Sequence, residues 1–124
     1  MNLPERLARR ALGVVRRVQA ELPQDLRALA ARVPVFCEWR MAAHWRADGV
    51  AADSIGLFSG PALDEPDDPD CLESPRITFF LAELWDFCDA DDATFDEEVR
   101  ITYIHEFGHY LGLTEDELAA RGLL

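Results

Sequence analysis

A chain of 124 residues and 14.0 kDa fits one domain, 1–124, and its 49% hydrophobic content supports a core and excludes a disordered tail. Twenty-four acids against twelve basic residues, all of them arginine, give a net charge of −12 and a pI near 4.5, the wrong sign for nucleic acid as the main partner. No apolar run approaches the roughly 20 residues of a membrane span, Met1–Ala20 lacks a signal peptide's apolar stretch, and Cys37, Cys71 and Cys88 form no C-x-x-C pair, so a cytoplasmic protein is expected, with no membrane partner and no disulfide framework.

The charge is unevenly laid out. Residues 1–50 hold nine arginines and five acids, whereas residues 51–124 hold three arginines and 19 acids. Basic N-terminal helices docking on an acidic body is the expected consequence.

Pro4 suits the first turn of a helix, and Leu7, Ala11, Val14, Val18 and Leu22 recur at helical spacing up to Pro23. Pro23 opens a second, shorter helix through Leu26, Leu29 and Ala30. Val33–Arg40 reads as a strand, with Val35, Cys37 and Trp39 alternating against Phe36 and Glu38. Met41–Ala52 is a loop with room for a helical turn. Ser54–Phe58 is a short strand, and the acidic, proline-rich Asp64–Asp70 a solvated loop. Arg76–Leu84 is the strongest strand in the pattern, apolar on both faces and therefore expected to be internal.

The last third is read most directly. Thr94 and Glu97 have capping-box form, starting a helix that runs from Phe95 to about Leu111 and stops at Gly112. Thr114 and Glu117 repeat the form ahead of a short terminal helix. The expected order is α-α-β-β-β-α-α, a small α+β domain.

On the long helix lies His105-Glu106-Phe107-Gly108-His109, an H-E-x-x-H pattern. Residues four apart share a helical face with about 6 Å of rise, so two imidazoles can converge on one metal ion. Glu106, rotated about 100° from His105, is placed to take a proton from water that zinc acidifies. With three histidines and eleven glutamates in the chain, chance gives this motif about 0.6% of the time, so accident is a poor explanation. A zinc hydrolase needs a third protein ligand. Gly112 lets the chain turn back toward the metal, and in the metzincin-type motifs that this pattern resembles the third ligand comes three residues after that glycine, which makes Glu115 the first candidate, Asp116 the second, and His44 or Cys71 more distant alternatives. Mid-helix Gly108 points to close packing of helix on sheet, and Tyr103 and Tyr110 to core positions ahead of any role as oxyanion donors.

His105–Leu118, HEFGHYLGLTEDEL, resembles the signature of the minimal zincins, a family of short bacterial zincin-like metallopeptidases. Glu97–Glu106 and the Glu21–Leu26 stretch are also similar to that family. The resemblance implies a reduced zincin fold with a small mixed sheet beside the active-site helix, zinc held by His105, His109 and an acidic third ligand at Glu115, catalytic Glu106, and a peptide or protein substrate. It departs from the metzincins, which add a methionine turn downstream: here Met1 and Met41 both lie upstream. A metal-stabilised binding or regulatory module without catalysis is the alternative that small size favours.

Overall fold

A computed structural model describes residues 1–65, 70 and 73–124. Cys71 and four residues of the expected acidic loop, 66–69, lie outside these.

The chain begins with α1 (Leu3–Glu21), where the Asn2 side chain accepts the Glu5 N–H at 2.9 Å and Pro4 occupies the first turn. The apolar stripe Leu7, Ala11, Val14 and Val18 is buried as its spacing requires. At Leu22 the backbone turns extended, and Pro23 caps α2 (Gln24–Ala30), which buries Leu26 and Ala30. Three strands form a mixed sheet of order β1-β3-β2, built from β1 (Val35–Glu38), β2 (Gly56–Ser59) and β3 (Arg76–Phe80). β1 runs parallel to β3, with Val35 beside Ile77, and β2 runs antiparallel, with Phe58 opposite Ile77. Alternation sends Val35, Cys37, Phe58, Ile77 and Phe79 into the core and Phe36, Ser59, Arg76 and Thr78 to the other face.

Six helices are present among the described residues, two more than expected, so the order is α-α-β-α-β-β-α-α-α. The first addition is α3 (Ala43–Ala47), inside the segment read as a loop with a helical turn, and it buries Trp45. The second corrects the expected strand over Arg76–Leu84, which ends at Phe80 and gives way to α4 (Leu81–Phe87). Ile77-Thr78-Phe79-Phe80 has the β-branched and aromatic character of a strand, whereas Leu81-Ala82-Glu83-Leu84 are strong helix formers. Continuous apolarity conceals that change, because a short buried strand and a buried helical turn have the same pattern. α4 closes through Asp89 and Ala90, both at positive φ of 52° and 55°.

α5 (Asp92–Leu111) starts earlier than the capping-box reading predicts. Asp91 is the N-cap: its carboxylate accepts both the N–H and the hydroxyl of Thr94, at 2.9 and 2.8 Å. Thr94 is therefore already helical and caps nothing. The second box is formed as expected, with Thr114 and Glu117 exchanging hydrogen bonds at the start of α6 (Glu115–Ala120).

The charge asymmetry resolves into contacts between α1 and α5. Arg10 donates to both carboxylate oxygens of Asp96 at 2.7 and 2.9 Å, and Arg6 meets Asp92 at 2.9 Å. These pairs are half-exposed, so each contributes at most about 1 kcal/mol; register, more than stability, is what they set. The buried stripe Phe95, Val99, Tyr103 and Phe107 supplies the larger share of the packing. Among the described residues no helix is long and apolar enough to cross a membrane.

Candidate metal centre

The last two turns of α5 carry His105, Glu106 and His109. The helix passes through Gly108 because α6 packs there. A Cβ at Gly108 would lie 2.7 Å from Leu118 Cδ1, so the close neighbour is the following helix, not the sheet expected from sequence. Gly112 then adopts φ 73°, ψ 24°, and its N–H returns to the carbonyls of Gly108 and His109. This left-handed turn brings the start of α6 back beside the helix it leaves.

The turn places Glu115 against His105: His105 Nδ1 and Glu115 Oε1 are 3.4 Å apart. One helical turn on, His109 Nδ1 lies 3.0 Å from Glu106 Oε2. Exposure separates these groups. The Glu106 side chain is 15% exposed and His105 33%, whereas His109 and Glu115 are 64% and 75% exposed. Glu106 is the inner group, and both imidazoles remain reachable from solvent.

Glu106 has a second partner that the sequence does not reveal. Its Oε2 accepts the backbone N–H of Phe58 at 3.0 Å. The strand pairing explains why that N–H is available. Phe80 N–H bonds to Ile55 C=O, so Ile55, Leu57 and Ser59 turn their backbone groups toward β3, while Gly56 and Phe58 turn theirs to the outer edge of β2. The Phe58 ring lies 5.9 Å from that of Tyr110, and the Leu63 N–H donates to the Tyr110 carbonyl at 2.8 Å. Both contacts fasten β2 and the residues after it to the end of α5.

Other sequence candidates fall elsewhere. His44 stands on α3 with its ring 4.6 Å from Trp45, against the sheet face that α5 does not cover. Tyr103 is fully buried and receives a hydrogen bond from Gln19 Nε2 at 3.0 Å. Burial holds its phenol above the usual range, partly opposed by that bond. Tyr110 is buried against Phe107 and Phe58. Both tyrosines occupy the core positions expected of them.

Two imidazoles one turn apart and a carboxylate touching one of them form a donor set whose chemistry suits zinc. Their side chains are held as two separate imidazole–carboxylate pairs, and no group of three or more His, Cys, Asp or Glu converges among the described residues. Ion binding at this place therefore requires side-chain rotation at the exposed members, His109 and Glu115.

A mixed α+β domain whose long helix presents H-E-x-x-H beneath the edge strand of a small sheet has the layout of a zincin. A family model described as zincin-like metallopeptidase matches residues 30–123, and the chain belongs to that family. The match begins at Ala30, so α1 and the Glu21–Leu26 stretch lie outside it. No curated protein matches the chain in sequence.

Proposed function

We propose that the protein is a zinc-dependent peptidase in which His105, His109 and Glu115 hold the metal and Glu106 is the general base. When bound, zinc supplies Lewis acidity toward a peptide carbonyl and acidifies water. The chain's own residues supply the rest. Glu106, mostly buried and anchored by the Phe58 N–H, is held in one position to accept a proton and pass it to the leaving amine. Substrate binds as an extended segment along the outer edge of β2, using the backbone groups of Gly56 and the Phe58 carbonyl. Asp64, Glu115 and Asp116 give the surroundings a negative field that favours neutral or basic peptides over acidic ones.

The observation that carries this reading is the Glu106–Phe58 hydrogen bond, which joins the H-E-x-x-H helix to a strand edge with outward-facing backbone groups. Metal analysis and peptide hydrolysis test it together. Purified protein is expected to hold about one zinc per chain, and Glu106→Gln to keep the metal while losing hydrolysis. Hydrolysis surviving in Glu106→Gln eliminates the assigned base.

A metal-stabilised module without catalysis is the second reading, favoured by the pairing of each imidazole with its own carboxylate. It predicts that zinc raises the melting temperature while a broad peptide library remains uncut.

A further inference from the structure

β1 is the other edge of the sheet, opposite β2. The Ile77 N–H bonds to the Pro34 C=O, so Pro34, Phe36 and Glu38 turn their backbone groups toward β3, while Val35 and Cys37 turn theirs outward. Among the described residues no group takes those outward donors and acceptors. Beside this edge runs a groove of about 280 Å³, walled by Leu12, Val15 and Arg16 of α1 and by Val33 and Val35. On the opposite face of β1 the Phe36 residue is 44% exposed.

The charge around this edge is the reverse of the chain's. Among the described residues no carboxylate lines the groove, although the sequence holds twenty-four acids. Arg6 and Arg10 are engaged by α5, but Arg16 is exposed and has no ion pair among the described residues. The same holds for Arg9, two turns earlier on the same side of α1, and for Arg27 and Arg32, which flank the groove residues Ala30 and Ala31. Outward backbone groups on a strand suit an extended chain, and unpaired guanidiniums suit carboxylates. A second copy pairing β1 with β1 sets arginines against arginines, and nucleic acid has no peptide backbone to continue the sheet.

We propose that the edge of β1 docks an extended acidic segment of a partner protein, added as a fourth strand beside Val35 and Cys37. Alternate residues of that segment fall on opposite faces. Its carboxylates lie on the α1 side against Arg16, and its apolar residues cover Phe36 on the other. This surface is at the sheet edge remote from Glu106 and does not depend on the peptidase reading.

Fluorescence anisotropy of the full chain, in chelator, with a labelled octapeptide alternating glutamate and valine tests the proposal. Saturation is expected, with the lysine–valine counterpart about tenfold weaker or more. An N-methylated glutamate–valine peptide, which cannot donate to a strand edge, should weaken by about the same factor. Arg16→Glu should weaken the acidic peptide about fivefold, since it turns an attraction into a repulsion. Amide exchange then locates the complex: Val35 and Cys37 should slow while Gly56 keeps its rate. Protection at Gly56 instead, or no saturation at millimolar peptide, overturns the proposal. So does equal binding of the lysine or N-methylated peptide, or of a thymidine oligonucleotide of the same charge, and so does unchanged affinity in Arg16→Glu. The wild-type peptide series decides the matter even if Arg16→Glu does not fold.

Discussion

The Glu106 carboxylate accepts the Phe58 backbone N–H at 3.0 Å, tying the C-terminal turns of α5 to the outer edge of β2. Removing the carboxylate with Glu106→Ala leaves that N–H without its acceptor. Amide exchange at Phe58 should accelerate, with a stability loss of about 1–3 kcal/mol to the extent that the N–H stays shielded from water. Glu106→Gln keeps an acceptor oxygen and should preserve slow exchange. Equal exchange in wild type and Glu106→Ala would show that the bond does not hold the strand.

β2 also approaches α5 closely at Gly56, where a Cβ would lie 2.5 Å from Thr102 Cγ2. Gly56→Ala is expected to cost about 1–3 kcal/mol in chemical denaturation, as overpacking does. Thr102→Ser removes the obstructing methyl, so the double variant should recover most of the loss. Additive losses in the two variants would locate the strain elsewhere.

The beginning of α5 gives a test of which side chain is the cap. Asp91→Ala should lose about 1 kcal/mol, since Asp91 accepts from Thr94 twice. Thr94→Ala retains the backbone bond and should lose less. The reverse ranking would restore the capping box that the sequence pattern suggested.

Alkaline pH should destabilise the fold in steps. Burial pushes the Cys37 and Cys88 thiols from 9.0 up to about 11, with nearby carboxylates adding to the shift at Cys88. Tyr103 is raised from 10.0. Each group releases its proton more readily when unfolded, so its contribution is intact below the ordinary value and falls as pH rises toward the folded one. Denaturation midpoints should fall from about pH 9, and Cys37→Ala should flatten the first part of that fall. A midpoint constant between pH 8 and 11 would contradict the assigned burial.

Much of the fold was legible because periodicity and caps are local signals. The α1 stripe ends where Pro23 requires, and Thr114 with Glu117 marks α6 without any tertiary help. The Phe80–Leu81 junction was not legible, since both sides are apolar and only propensity changes. At the candidate site, His105, Glu106 and His109 follow from spacing alone, and the left-handed turn at Gly112 does bring Glu115 to His105. Phe58 carries no sequence signal for its role. Its contribution is a backbone N–H, and which edge of β2 stays unpaired depends on a sheet order in which β3 is inserted between β1 and β2.

An open strand edge can recruit a sister molecule as readily as a guest peptide, and self-templated stacking is the usual hazard of such an edge. β2 is only four residues long, and one of its outward donors is already engaged by a carboxylate. A second copy attempting to add there finds the Phe58 N–H already taken by Glu106 and brings its own negative charge alongside. The same side chain that orients the edge thus guards a strongly acidic protein against runaway assembly.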